Sequence, residues 1–196
     1  MKPLSVLVGF EESQEVTAAF IALGHNAMSC DLYHSGAKGL PHYQGDVFDI
    51  LCRGWDLVIL HPPCTFTSVS GNRWYWNSPL RIEGAELCKR AWDEARKYSR
   101  RVALEQPKTI MQKYIGPRSQ AIQPWQFGHM ETKETWIWLY NLPPLVGTNN
   151  VYSEMMKLTK AERERVFYMS PGPDRQKERS RTYTGIAQAM ATQWTK

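Results

Sequence analysis

Short apolar runs that alternate with helical patterns constrain the fold of this chain more than any other feature. Residues 4–10 and 55–60 are continuous apolar segments, which is typical of strands buried on both faces of a sheet. Between them, apolar residues three and four positions apart predict a helix over residues 16–23, with Gly24 as its C-cap. This alternation predicts βαβ units.

Further elements follow the same pattern. Strands are predicted at Asn26–Asp31, 101–105 (halted by Pro107) and Thr135–Tyr140, with a weaker strand at 166–169 and a short element at 45–50. Helices are predicted at 79–100, with an inner stripe of Ala85, Cys88, Trp92 and Ala95, and at 184–192. We therefore expect one α/β domain over residues 1–196, with a mostly parallel central sheet and helices on both faces.

Composition narrows the class of protein. No apolar run approaches the roughly 20 residues of a membrane span, and two glutamates interrupt the N-terminal run, so an intracellular, cytoplasmic protein is expected. The four cysteines show neither a C-x-x-C pair nor zinc spacing, so we predict reduced thiols and no metal. The net charge of +5 is compatible with a polyanionic partner but does not require one.

Polar residues stand at the ends of the predicted strands. In parallel sheets, ligands bind outside the carboxyl ends of the strands, so we expect these residues to converge on one crevice. They are Phe10, Glu11 and Glu12, then Asp31, Asp46, His61 to Cys64, Glu105 and Gln106.

Cys64 is the strongest candidate for a catalytic residue. Free cysteines are usually small buried hydrophobes, a role that suits Cys88, but Cys64 follows two prolines that fix it at a strand end. A nucleophilic cysteine needs a lowered thiol pKa, which positive charge or a helix N-terminus provides. His61 or a following helical turn would serve, although His61 has an equally good structural interpretation.

Three acidic residues complete the candidate site. A glutamate that ends an apolar strand, as Glu105 does, is costly unless it is paired or used. Asp31 ends the second strand, where an acid in nucleoside-binding folds accepts hydrogen bonds from ribose hydroxyls. Asp46 is predicted to face an adenine amino group or the backbone, and both aspartates fit N-caps or turn acids equally well.

Several segments together resemble the cytosine-5 DNA methyltransferases, in particular small, phage-type members of that family. The segments are HPPCT (61–65), ALEQP (103–107), IQPWQFGH (122–129), LPPLV (142–146) and KERSRTY (177–183). The resemblance implies a Rossmann-like S-adenosylmethionine-dependent methyltransferase fold. It also implies that Cys64 adds to carbon 6 of cytosine in DNA, that Glu105 holds a proton on N3 of the ring, and that S-adenosylmethionine gives its methyl group to carbon 5.

The resemblance also implies binding residues. Cofactor contacts are expected from Phe10, Glu11, Glu12, Asp31, Asp46 and Pro62, although the glycine-rich turn of the family is replaced here by GFEES. Substrate contacts are expected from His61, Arg73, Trp74, Gln106, Arg179 and Arg181.

DNA would have to be recognised by loops, since the chain has no room for the family's separate target-recognition domain. The candidate loops are 65–80, 106–130 and 170–183. If residues 175–181 are extended, their basic side chains share a face that could track phosphates; the other interpretation is a solvated charged loop.

The sequence is also compatible with two other functions. One is one-carbon transfer to a free pyrimidine nucleotide, dCMP or dUMP, because a mononucleotide needs no recognition domain. The other is a non-catalytic binding protein that keeps the methyltransferase fold. Amino-directed methyltransferases fit badly, because they have an aromatic residue where this chain has Cys64. The sequence leaves the oligomeric state open, and a phage-encoded protein would act in the host cytoplasm.

Overall fold

A seven-stranded sheet organises the computed structural model, which describes residues 2–35, 39–173 and 175–196. The strands are β1 (Ser5–Gly9), β2 (Asn26–Asp31), β3 (His42–Gln44), β4 (Leu57–Leu60), β5 (Val102–Pro107), β6 (Gln120–Ile122) and β7 (Thr135–Tyr140). Their order is β3-β2-β1-β4-β5-β7-β6, and all pairs are parallel except those that β7 makes with β5 and β6. The predicted α/β, Rossmann-like, mostly parallel sheet is confirmed.

Helices cover both faces of this sheet. They are α1 (Glu15–Ala22), α2 (Asn72–Tyr75), α3 (Pro79–Tyr98), α4 (Gln112–Ile115), α5 (Tyr152–Met155), α6 (Lys160–Arg163), α7 (Arg165–Tyr168), α8 (Arg175–Ser180) and α9 (Thr184–Gln193). None of the helices in the described ranges is long and apolar enough to cross a membrane.

Successive side chains of a strand point to opposite faces of the sheet, so the core has two layers, one on each face. Val6 and Val8 point toward the layer that contains α1 and α9, whereas Leu7 between them points toward the α3 layer. All three side chains are fully buried, as the continuous apolar run predicts. The predicted inner stripe of α3 is also confirmed, since Ala85, Cys88, Trp92 and Ala95 are all buried.

Some sequence predictions were wrong. Residues 166–169 lie largely in α7 rather than in a strand, and residues 175–180 form α8, so the basic side chains there are not an extended row. Asp174, inside the predicted recognition loop 170–183, lies outside the described residues. The short element predicted at 45–50 contains a 3-10 turn at Val47–Asp49, whereas β3 and β6 were missed because each has only three residues.

β5 includes Pro107 as its last residue, whereas the sequence predicted that the strand would end at residue 105. Pro107 pairs with Thr135 of the antiparallel strand β7. On the other side of β5, pairing with β4 ends at Leu104, so the missing N–H of Pro107 interrupts no hydrogen bond there.

Glu11 fixes the start of α1. Its Oε1 accepts the N–H of Val16 at 2.6 Å, and its Oε2 accepts the N–H of Thr17 at 3.2 Å and the Thr17 hydroxyl at 2.6 Å. The side chain is almost fully buried. A carboxylate here satisfies helix N–H groups that have no intrahelical acceptor and also interacts favourably with the helix dipole.

We expect Glu11→Ala to lower the free energy of unfolding by about 2 kcal/mol or more, because it leaves three buried donors without an acceptor. The neighbouring change Glu12→Ala removes only a partly exposed ion pair and should cost less than about 1 kcal/mol. Urea unfolding of the two variants measures both values. Equal losses would contradict the capping role of Glu11.

Candidate active site

The candidate site lies at the carboxyl ends of three adjacent strands. β1, β4 and β5 are parallel neighbours, so the residues that follow β1 and β4 share an edge with the end of β5. The N–H of His61 still bonds to the carbonyl of Gly9 at 3.0 Å, after which the two prolines lead the chain out of the sheet to Cys64. The structure therefore brings Cys64 and Glu105 to the same edge, as expected.

His61 is bound to Glu105. Its Nδ1 lies 3.2 Å from Oε2 of Glu105, and the two side chains are 10% and 19% exposed. Its Nε2 is buried and has no hydrogen-bond partner among the described residues. Of the two roles considered for His61, the structure shows the hydrogen-bonding one, directed at Glu105 rather than at the thiol.

Glu105 is held in its ionised form. Burial alone would raise the pKa of this carboxyl group. The hydrogen bond and the charge of His61, together with the charge of Lys133, outweigh burial and bring the pKa of Glu105 below its ordinary value. The site therefore contains a fixed negative charge at neutral pH.

The pKa of the Cys64 thiol is raised, whereas the sequence led us to expect a lowered pKa. Burial raises the pKa of the half-buried thiol, and the charge of Glu105 raises it further. Lys133 and Arg179 act in the other direction without overcoming burial. The expected lowering of the thiol pKa is thus wrong for the free protein, and Cys64 is a neutral thiol at pH 7.

Gln106 clamps the loop that carries Cys64. Its side-chain amide donates to the carbonyl of Pro62 and accepts a hydrogen bond from the Thr67 hydroxyl at 3.0 Å. Thr109 adds a hydrogen bond to the carbonyl of Thr67 at 2.9 Å. Both ends of the Gln106 amide have protein partners, so the predicted substrate contact of Gln106 and cofactor contact of Pro62 stay predictions.

The turn after β1 is unusual. Phe10 has φ of 61°, in the left-handed region that favours glycine, and it stands where the resembled family has a glycine-rich turn. Glu11 turns inward to cap α1, and Glu12 forms an ion pair of 2.6 Å with Lys177. The expected cofactor contacts of Phe10, Glu11 and Glu12 are not tested by these interactions.

Asp31 offers the most suitable group for a ribose. Its Oδ1 accepts the N–H of Tyr33 at 3.0 Å, and the N–H of Leu32 also bonds to this carboxylate. A carboxylate at the end of β2 is an acceptor of the kind that a ribose diol needs. Asp46, in contrast, caps the following 3-10 turn through the N–H of Phe48 at 3.0 Å, which was its alternative role.

Arg73 and Trp74 form an exposed pair on α2. Trp74 is 74% exposed, and the Arg73 guanidinium carbon lies 5.3 Å from the centroid of its ring. Buried Arg81 anchors the base of this segment through the carbonyl of Phe66 at 3.1 Å and the side chain of Asn72. The pair is therefore an exposed surface feature on a fixed base, and its predicted contact with substrate is untested.

α8 is tied to the start of α1. Lys177 pairs with Glu12, and Arg181 pairs with Glu15. Arg179, between these two, is half-buried, and its charge acts on Cys64. Sequence reasoning missed Lys133, whose Nζ donates to the Arg179 carbonyl at 2.8 Å; only its position just before a predicted strand could have drawn attention to it.

Comparison with known proteins adds little. No protein-family model matches the chain, and no curated protein matches it. Among solved structures, it is similar to the kinase-methyltransferase WbdD (12% identity, TM-score 0.45, 74% of this chain and 38% of that one). It is also similar to PH0851, with 15% identity and a TM-score of 0.47 over 70% of this chain and 42% of that one. A third similar structure is an RNA methyltransferase from Salinibacter ruber in complex with S-adenosyl-L-homocysteine. Its identity is 10% and its TM-score is 0.38, over 74% of this chain and 87% of that one.

These likenesses are too weak to support an argument about function. This chain spans well under half the length of WbdD and of PH0851. The chemistry of the site must therefore be inferred from its own geometry.

We expect Glu105→Gln to lower the pKa of Cys64, because it removes the negative charge that raises it. The pH dependence of iodoacetamide alkylation, followed at the Cys64 peptide by mass spectrometry, measures this. Alkylation of exposed Cys52 in the same sample is the control and should not change. A Cys64 profile that stays in place or moves to higher pH would contradict the charge assignment.

Proposed function

We propose that this protein methylates carbon 5 of cytosine in DNA, with Cys64 as the nucleophile and S-adenosylmethionine as the methyl donor. One observation carries the proposal: a cysteine fixed by two prolines and an ionised glutamate meet at the carboxyl ends of adjacent parallel strands. Carbon 5 of cytosine is a poor nucleophile until a thiolate has added to carbon 6 and N3 carries a proton, so a thiol and a carboxylate suit this reaction.

The resting protonation states match the needs of the addition step. The Cys64 sulfur must lose its proton as it bonds to carbon 6, and N3 of the ring must gain one. In the free protein, the proton is on the sulfur and Glu105 is ionised. Transfer of the thiol proton to N3, with Glu105 accepting the resulting N3–H hydrogen bond, balances the step without a proton from solvent.

His61 and Gln106 position the reacting groups. His61 holds the Glu105 carboxylate through Nδ1, and Gln106 holds the loop that carries Cys64 through Pro62. After carbon 5 has taken the methyl group, a base removes the carbon-5 proton, the thiolate leaves carbon 6, and the proton on N3 returns to the Cys64 sulfur. The net change is one methyl group for one proton.

The residues at the ends of β1 and β2 suit S-adenosylmethionine. Asp31 places a carboxylate at the end of β2, where it would accept hydrogen bonds from ribose hydroxyls, and Phe10 gives the turn after β1 the left-handed backbone that usually requires glycine. When bound, this cofactor supplies the methyl group as an electrophile.

DNA is the substrate that fits the exposed surface. Trp74 with Arg73 beside it presents an aromatic face and a cation, the combination that stacks on bases and contacts phosphates. In a duplex, the target cytosine would have to be flipped out to reach Cys64, since the thiol is half-buried behind the strand ends.

The test is a mechanism-based trap. With S-adenosylmethionine, an oligonucleotide containing 5-fluorodeoxycytidine should form a covalent adduct at Cys64, because fluorine at carbon 5 cannot leave as a proton does. Intact mass and peptide mapping detect the adduct. Cys64→Ser should abolish it, whereas the matched change Cys52→Ser, at an exposed cysteine, should not.

The same assay separates the competing functions. If 5-fluoro-dCMP forms an adduct and the fluorinated oligonucleotide does not, the substrate is a free nucleotide rather than DNA. If neither probe forms an adduct while calorimetry shows that the cofactor binds, the proposed chemistry is wrong.

A further inference from the structure

A small basic cavity lies between the segment before β7 and the segment around α8. We propose that Lys133 and Arg179, at this cavity, bind the phosphate of the target nucleotide while its base faces Cys64. This inference rests on the proposed function, because it assigns the part of the substrate that the catalytic pair does not touch.

The cavity has the size of a subsite. Its volume is about 160 Å³, and its charged lining residues are Lys133, Arg165, Glu178, Arg179 and Arg181. Pockets for whole small molecules are about 300 Å³ or larger, so this one suits a single charged group rather than a complete nucleotide. The base and the sugar would then lie outside the cavity, toward the sheet edge.

Charge pairing singles out two of the four cations. Arg165 pairs with Glu131 at 2.9 Å, Arg181 pairs with Glu15, and Glu178 also acts on both arginines. Lys133 and Arg179 have no carboxylate within ion-pair distance in the described ranges. Since buried or half-buried cations are normally paired, an anion from outside the chain is the natural partner.

The topology places Lys133 beside the catalytic pair. β7 runs antiparallel to β5, so its first residue, Thr135, lies opposite Pro107 at the carboxyl end of β5. Lys133, just before that strand, therefore lies at the edge where Glu105 and Cys64 stand, and its charge acts on both.

Separate contacts place Arg179 at the same edge. The ion pairs of Lys177 with Glu12 and of Arg181 with Glu15 hold α8 against the start of α1. The hydrogen bond from Lys133 to the Arg179 carbonyl then joins the two segments, so both cations line one cavity. Two adjacent cations recognise a phosphate well, because each donates charge-assisted hydrogen bonds to its oxygens.

The test compares ligands with and without phosphate, measured by calorimetry without cofactor. The full chain should bind dCMP about tenfold more tightly than deoxycytidine, which is about 1.4 kcal/mol. Lys133→Gln and Arg179→Gln should each bring this ratio close to one. Lys133→Arg keeps the charge and should restore most of it. Arg165→Gln, at a cavity cation already paired with Glu131, is the matched control and should leave the ratio unchanged.

A second arm distinguishes a phosphate monoester from the diester of DNA. The affinity for a short single-stranded oligonucleotide is measured at several salt concentrations. In Lys133→Gln and in Arg179→Gln, loss of one phosphate contact should reduce the slope of log K against log salt concentration by about 0.7. If the variants change only the affinity ratio of dCMP to deoxycytidine, the site binds the phosphate monoester of a free nucleotide. If they change only the salt dependence of oligonucleotide binding, it binds the phosphodiester of DNA.

Each result decides the phosphate site independently of catalysis. A folded Lys133→Gln or Arg179→Gln protein that keeps both the wild-type ratio and the wild-type slope would overturn the site. So would a wild-type protein with no phosphate preference in either arm. Because no reaction is needed, a failed trap at Cys64 would sink the methyl-transfer proposal and leave this result standing.

Discussion

The hydrogen bond between His61 and Glu105 joins the ends of β4 and β5, and the properties of the site depend on it. Burial by itself would raise the pKa of Glu105, and the pKa of this carboxyl group falls chiefly because His61 is held against it. Two adjacent parallel strands supply the partners, so the sheet fixes their separation. Removing one member of such a half-buried pair leaves the other without compensation, which commonly costs several kcal/mol.

The charge of Glu105 adds to burial in determining the state of Cys64. Burial and the neighbouring carboxylate together raise the pKa of the Cys64 thiol, so the sulfur is protonated in the free protein. The charges of Lys133 and Arg179 lower the pKa of this thiol, so one anion and two cations act on it in opposite directions. In the proposed reaction, a bound cytosine ring accepts the thiol proton and hydrogen-bonds to Glu105, and a phosphate partners the two cations.

The fold, and the meeting of Cys64 with Glu105 at one edge of the sheet, could be predicted from the sequence because both follow from local patterns. Continuous apolar runs formed buried strands, and residues at strand ends met at one edge because parallel strands require it. Glu11 shows the limit of that reasoning. It lies at the correct edge, yet its carboxylate caps α1, and whether an acid after a strand caps a helix or binds a ligand depends on how the turn folds.

Predictions failed where a property depends on distant partners. Three of the four basic residues of 175–181 lie in α8, and two of the four, Lys177 and Arg181, pair with glutamates near α1 that are more than 160 positions away in sequence. The direction of the Cys64 pKa depends on Glu105 and on burial, neither of which is local to the HPPC motif. Lys133 could not be recognised before β7 was known to run antiparallel to β5.

Release of tritium from DNA containing 5-tritiated cytosine tests the central claim most directly, because replacing the carbon-5 hydrogen is what the proposed reaction does. With S-adenosylmethionine, the wild-type protein should release tritium to water in step with methyl incorporation, and Cys64→Ser should release none. Methyl incorporation without tritium release, or undiminished release by Cys64→Ser, would contradict methylation at carbon 5 through a Cys64 adduct.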